Sequence, residues 1–444
     1  MNQLTSMKKF FIALVTLLIV LFAGSGELFA EDTPQEAKNN PFLLKSFMFP
    51  LQSRVYGEFQ LNYYDYPPLI YRNRATSTPR DSRLTADISR FSWHGTQIFV
   101  PTAGVEFEVN VAHFGASGQN SPNYNGPFSD TKYDSASDGG VQLSQVFLFK
   151  EWGGHAILYG GRIPVAVGLL ALTESPIDYI APNPFEAETN FLPSNWTEMG
   201  LAAKVSYFPF SSLTQLVNGL DSAGFDSYRF VANGEQGRYG SVRVTEPAIV
   251  ERIELSPSRT SRFGTSVYYG ETSQNRPTSD MKRFCENRNA SQAPCGYINA
   301  PLTIIDLHAV VALERFRANA LALWGRLRNA STINRLNNAN RTNLPDFYTP
   351  VGSEAYGVAL EVGYEFFPAD HIELFGKVER YDTMLKNADP EDSNPATDRK
   401  LVSLGAVFRP TSYVYAKGSW SERNFGTTRF ASESTATGAI GFRF

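Results

Sequence analysis

Charged side chains recur at every second position in segments whose intervening positions are apolar. Between 354 and 367, Glu361 and Glu365 share a parity with Gly357, Ala359 and Gly363, against Tyr356, Val358, Leu360, Val362, Tyr364 and Phe366. Between 103 and 115, Glu106, Glu108 and Asn110 oppose Val105, Phe107, Val109 and Val111. Between 196 and 208, Glu198 and Lys204 oppose Met199, Leu201, Ala203, Val205 and Tyr207. A period of two puts each set on its own face of a strand. Carried along the chain, the polar parity collects Glu58, Glu106, Glu108, Glu198, Glu254, Asp306, Glu361, Glu365, Glu373 and Glu379. It also collects Arg90, Lys204, Arg252, Arg262, Arg326, Lys377 and Arg443. Charges of both signs on one continuous face can line a wet passage, where fixed groups replace part of a solute's hydration. The mixture is slightly acidic. The expected chemistry is passage of small hydrophilic solutes with a weak cation preference or none. A solvated wall without designed selectivity accounts for the same residues.

The stretch from Pro164 to Asn195 differs from these segments. It joins a helix-capable apolar piece, Val165 to Leu172, to the acids Glu174, Asp178, Glu186 and Glu188. An apolar stretch in a surface loop is penalised if it faces water. Folding inward, to narrow a passage with those four carboxylates, removes the penalty; packing over a rim or against another subunit also would.

Other chemically capable residues point to no reaction. Cys285 and Cys295, with nine residues between, read as a loop disulfide in an exported chain, and no His is near them in sequence to complete a metal site. His94, His113, His155, His308 and His371 are scattered singly, no nucleophile motif accompanies them, and no cofactor or metal is expected. Arg72, Arg74, Arg80 and Arg83, and Arg326, Arg328, Arg335 and Arg341, read as solvated loop residues, with contacts to anionic lipopolysaccharide or to substrate as the alternative.

The elements that would position these residues are strands. Sixteen segments carry the alternation: 53–64, 84–100, 103–115, 140–151, 154–163, 196–208, 212–219, 244–256, 260–271, 302–314, 317–328, 354–367, 371–382, 399–409, 412–422 and 434–444. Links after the even-numbered segments are tight, as at Pro101-Thr102, Gly153, Pro209-Phe210-Ser211 and Pro410-Thr411, while links after the odd ones are long. Short turns on one side and long loops on the other are the arrangement of an outer-membrane barrel, with the short side periplasmic. An Arg or Lys on the apolar face at mid-depth would cost about 2–4 kcal/mol, which explains its absence there. The fold class expected is therefore all-β: a transmembrane antiparallel up-and-down barrel of about sixteen strands, with fourteen or eighteen still open.

Both ends agree. Lys8 and Lys9 precede an apolar run from Phe10 to Ala23, and Ala30 precedes Glu31, which reads as a signal peptide over 1–30. A short periplasmic segment, 31–52, then leads into a barrel over 53–444. At the other end Phe442 and Phe444 extend the apolar parity of Ala436, Gly438 and Ile440. That pattern resembles the terminal signature read by the outer-membrane barrel-assembly machinery. Removing Lys8, Lys9 and Glu27 with the leader leaves 38 basic against 43 acidic residues, no footprint for nucleic acid.

The runs V-Q-L-S-Q-V-F-L-F-K-E-W (141–152) and Y-G-G-R-I-P-V-A-V-G-L (159–169), with Leu216-Val217-Asn218-Gly219-Leu220-Asp221, resemble porins of the phosphate-selective porin O/P superfamily. The resemblance implies sixteen strands, a homotrimer and a third loop folded into the lumen. Phosphate selectivity does not follow from the residues, because the ladder of inward cations it requires is missing. The expected function is an outer-membrane porin of a Gram-negative bacterium, passing small hydrophilic solutes and surrounded by lipid and lipopolysaccharide. An anion-selective porin, and a structural or adhesive barrel without transport, remain as alternatives.

Overall fold

The computed structural model describes residues 51–67, 81–111, 141–172, 179–236, 246–273, 298–340, 350–367, 371–390, 392–428 and 430–444. Residues 1–30, expected to be a leader, and 31–50 lie outside the described residues. The chain forms one closed antiparallel barrel of sixteen strands, each paired with its neighbours in sequence and the first with the last. The first eight are β1 (Leu51–Tyr66), β2 (Asp81–Val100), β3 (Ala103–Val111), β4 (Val141–Trp152), β5 (Ala156–Pro164), β6 (Thr197–Tyr207), β7 (Phe210–Asn218) and β8 (Pro247–Leu255). The second eight are β9 (Arg262–Glu271), β10 (Pro301–Leu313), β11 (Phe316–Leu327), β12 (Glu354–Phe367), β13 (Ile372–Lys386), β14 (Asp398–Phe408), β15 (Val414–Phe425) and β16 (Glu433–Arg443). Among the described residues two α-helices, α1 (Glu186–Thr189) and α2 (Ala330–Asn340), lie in the links.

The alternation sorts side chains between two solvents. Leu201, Leu307 and Leu404 are each about three-fifths exposed on the outer face, whereas Ala202, Asp306 and Ser403, one position away, are buried on the inner face. The outer face has no water to meet it, so closure of the sheet is what satisfies the backbone. Val55 and Phe444 complete that closure by exchanging two hydrogen bonds of 2.9 and 2.8 Å. The Phe444 ring leans on Tyr413 and Phe442 and joins Phe99, Trp152, Tyr207 and Phe208 as exposed aromatics near the short turns. Such a girdle marks a membrane interface.

The tight turns follow local chemistry. Between β4 and β5, Gly153 and Gly154 have φ of +59° and +71°. Two successive positive φ values make the hairpin turn that matches strand twist, and glycine adopts them without strain.

At mid-height on the lipid face, Leu404→Arg should lower barrel stability in lipid by about 2–4 kcal/mol, while Leu404→Phe should change it by less than about 0.5 kcal/mol. Urea titration of vesicle-reconstituted protein reads both. Equal effects would place Leu404 away from lipid.

Candidate functional site

The third of the long links, 165–196, runs inside the barrel. Beyond β5 it turns at Gly168, whose φ is +82° and where a Cβ would collide with the Glu188 carboxylate. It then forms a 3-10 turn at Leu170–Leu172 and, after the undescribed 173–178, passes through Ile180 and Phe185 into α1. Its apolar side chains Val165, Val167, Leu169, Phe185, Phe191 and Leu192 pack with the inner faces of β6 to β12 in one buried cluster.

Burying that backbone obliges the wall to supply partners for it. At the root, the Ala166 N–H donates to Gln215 Oε1, whose amide donates to Pro164 O, both at 2.8 Å. The Gly168 N–H donates to Asp306 at 2.8 Å, and Arg252 donates to the carbonyls of Ala166 and Gly168 at 3.3 and 3.0 Å. Across the lumen, Lys417 donates to Tyr179 O and Ala181 O at 2.8 and 3.2 Å, and the Ala181 N–H reaches Glu361 at 2.8 Å. Lys377 donates to Asn183 O and Pro184 O at 3.4 and 3.1 Å, while the Ala187 N–H donates to Glu379 at 2.8 Å. Wall acids take the loop's N–H groups and wall cations take its carbonyls. The tip touches the far side, where Gln60 on β1 and Thr437 on β16 lie 3.4 Å from Asn183.

The two described loop acids fasten the loop. Glu186 accepts from Arg423 at 2.8 and 2.6 Å and from the Tyr381 hydroxyl, with Arg399 at 3.7 Å. Glu188 is 1% exposed and accepts from the N–H groups of Leu169 and Leu170 at 2.6 and 2.7 Å. Burial alone would raise the Glu186 carboxyl; Arg423, then Arg399 and Tyr381, outweigh it and hold the group down to about 2. Burial pushes Glu188 up to about 8, against the two N–H groups, with Asp306 adding to the rise and Arg252 opposing it.

Glu174 and Asp178, and Cys285 and Cys295, lie outside the described residues, as does the Arg90 side chain. Glu106, Glu108, Lys204, Arg252, Arg262, Glu361, Glu365 and Lys377 stand on the inner parity. Arg252, Glu361 and Lys377 are buried against the loop rather than facing water. Arg326 is a correction: it pairs with Glu354 on the outer parity of β11 and β12 and is 54% exposed, because Arg317, Asn319 and Leu321 set the inward phase of that strand. Lys417, Arg399 and Arg423 were missed, although the alternation of β14 and β15 places each inward. Also missed was the fourth of the long links, between β7 and β8, whose Leu220, Phe225, Phe230 and Val231 are buried in the same cluster. Phe230 packs on Phe191 of the third link with ring centroids 5.0 Å apart. The apolar side chains of the fourth link are interspersed with Asp226, Ser227, Arg229 and Asn233, so no continuous apolar run marked it for burial.

Asp306 holds His308 Nδ1 at 2.6 Å, the orienting half of a hydrolytic triad. Arg252 stands 2.8 Å from Nε2, where a nucleophile would sit, and Ser266 bonds Asp306 instead. Among the described residues no group of three or more His, Cys, Asp or Glu is placed to hold a metal ion.

No family model matches the chain and no curated protein does. Solved structures do. An anion-selective porin from Comamonas acidovorans aligns at a TM-score of 0.51 and 12% identity over 89% of this chain and 100% of that one. The outer membrane channel DcaP of Acinetobacter baumannii aligns at 0.52 and 9%, over 89% and 97%. Salmonella typhi OmpF, in complex with daunomycin, aligns at 0.51 and 10%, over 89% and 98%. The chain has a porin-like fold. With its closed sheet and lipid-facing belt, it is a transmembrane barrel of the outer-membrane type.

The Glu186 contribution is present above the ordinary carboxylate range and is lost only as pH falls toward about 2. Glu186→Gln should therefore loosen the loop at neutral pH by about 3 kcal/mol, since Arg423 loses a buried partner, and flickering single-channel current should report it. Glu188 has the opposite sign: its contribution is full below 4.5 and is lost as pH rises toward about 8. Glu188→Gln should keep the loop in place and flatten the fall in melting temperature between about pH 5 and pH 8. A Glu188→Gln slope like that of the parent protein would show that the carboxyl does not carry it.

Proposed function

We propose that this protein is an outer-membrane porin. Small hydrophilic solutes cross it passively through a lumen narrowed by the loop 164–195. The observation that carries this reading is the loop itself, fastened across the inside of a closed sixteen-strand barrel by side chains of the wall. A barrel of this strand number leaves an aqueous channel unless something fills it, and a fixed loop sets the remaining width. The leader at 1–30 fits export to that membrane, and trimeric assembly fits the porin-like fold.

Selectivity is read as weak. Asp306, Glu361 and Glu379, and Arg252, Lys377 and Lys417, are engaged with loop backbone, so both signs are withdrawn together. Inner charges with part of their surface in water are also mixed: Glu106 and Glu365 are 29% and 31% exposed, and Arg317 and Arg409 are 28% and 22%. A pore lined this way passes ions of both signs.

Planar-bilayer recording of purified protein should give stable ohmic steps, with a reversal potential close to zero across a potassium chloride gradient. Absence of steps would favour a structural or adhesive barrel. A reversal potential near the chloride limit would establish the anion-selective alternative. Lys417→Met, which frees the carbonyls of Tyr179 and Ala181, should raise mean conductance and its noise; an unchanged trace would mean that the loop does not set the width.

A further inference from the structure

At the end of the barrel opposite the short turns, the outer face of β11 to β14 carries a cluster of cations. Arg326, Arg380, Lys386 and Lys400 are on adjoining strands in register: Arg326 pairs with Glu354, Glu354 with Lys386, and Arg380 with both Val358 and Lys400. All four are exposed, three of them by 54%, 52% and 62%. Their acids are withdrawn: Glu354, shared by Arg326 and Lys386 at 3.8 and 2.8 Å, is 13% exposed, and Asp398, at 3.7 Å from Arg380, is 28% exposed. Asp382 accepts from the Met384 N–H, and Glu422 on β15 borders the cluster. The outermost groups are therefore positive although acids lie beneath them. Directly below, on the same outer parity, come Leu360, Val378 and Val402, each nearly half exposed. Lys150, another outer-face cation, lies at the opposite end beside Thr102, and Arg162 is held by Thr197 and Glu235.

A row of protruding cations immediately above lipid-facing apolar side chains fits an amphiphile with anionic headgroup and acyl chains, in that order along the barrel axis. We propose that the outer wall of β11–β14 is a binding surface for the phosphorylated sugar headgroup of a lipopolysaccharide in the outer leaflet. The proposal rests on the outer-membrane reading, which places this end of the barrel outside the cell. Arg and Lys at a charged surface attract phosphate, and the acids beneath hold the cations in fixed positions.

The test is native mass spectrometry of the full-length protein in detergent, with added bisphosphorylated lipid A, its dephosphorylated form and phosphatidylcholine. The protein should retain the bisphosphorylated form preferentially. The variant R326Q/R380Q/K386Q/K400Q should bind it about tenfold more weakly, and K150Q should bind it unchanged. Raising salt from about 0.1 M to about 0.5 M should weaken binding by the parent protein, which tests the charge requirement even where the variant does not fold. Equal retention of all three lipids, or parent-like binding by the folded quadruple variant, overturns the proposal. Competition by millimolar inorganic phosphate alone, without acyl chains, would also overturn it in favour of a simple anion site. Conductance of the same samples separates the two readings: lipid discrimination without conductance sinks the porin reading alone.

Discussion

A polypeptide that leaves the wall of a barrel and folds inside it must find a partner for every peptide N–H and C=O it buries. That obligation organises the interior. The wall meets it with side chains of both signs, since carboxylates accept from N–H groups and ammonium or guanidinium groups donate to carbonyls. Asp306, Glu361 and Glu379 fill the first role, and Arg252, Lys377 and Lys417 the second. Neighbours then keep each charge from being buried alone: Glu254 lies 2.9 Å from Arg252, Glu379 lies 3.0 Å from Lys377, and Asn319 donates to Glu361 at 3.0 Å. The mixture of charges reflects a mixture of backbone donors and acceptors as much as any solute.

The fold was legible in the sequence because lipid enforces it at every second residue. Every outer-face position at membrane depth meets lipid, so the alternation survives along β12 from Tyr356 to Phe366 without a break, and the tight turns separate the segments cleanly. The sixteen expected segments coincide with the sixteen strands to within a few residues. The inner face is less constrained from outside, and there the alternation identifies which residues point inward without saying what they meet. Lys377 and Lys204 look alike in sequence. One is buried against loop carbonyls, and the other is half-buried on the inner face of β6.

The same limit explains the candidate site. The loop's apolar content, Val165 to Leu172, indicated that it had to be covered, but its carboxylates gave no sign of their role. Glu186 and Glu188 are two residues apart on one short helix, yet one faces Arg423 and the other the start of its own loop. Which does which depends on β15 and on the turn at Gly168, both remote in sequence. The fourth link went unread for a related reason: Phe225, Phe230 and Val231 are spread among polar residues, and their common burial appears only when Phe191 is brought beside them.

Arg252 belongs to β8, Lys377 and Lys417 to β13 and β15 on a distant arc of the closed sheet, and all three grip one chain segment. Mechanically, that segment is a tie-rod across a tube. A barrel in a bilayer experiences lateral pressure that tends to flatten its cross-section, and cross-bracing resists it. The bonds that narrow the bore are thus also bonds that keep it round, so width and stiffness are two readings of one set of contacts.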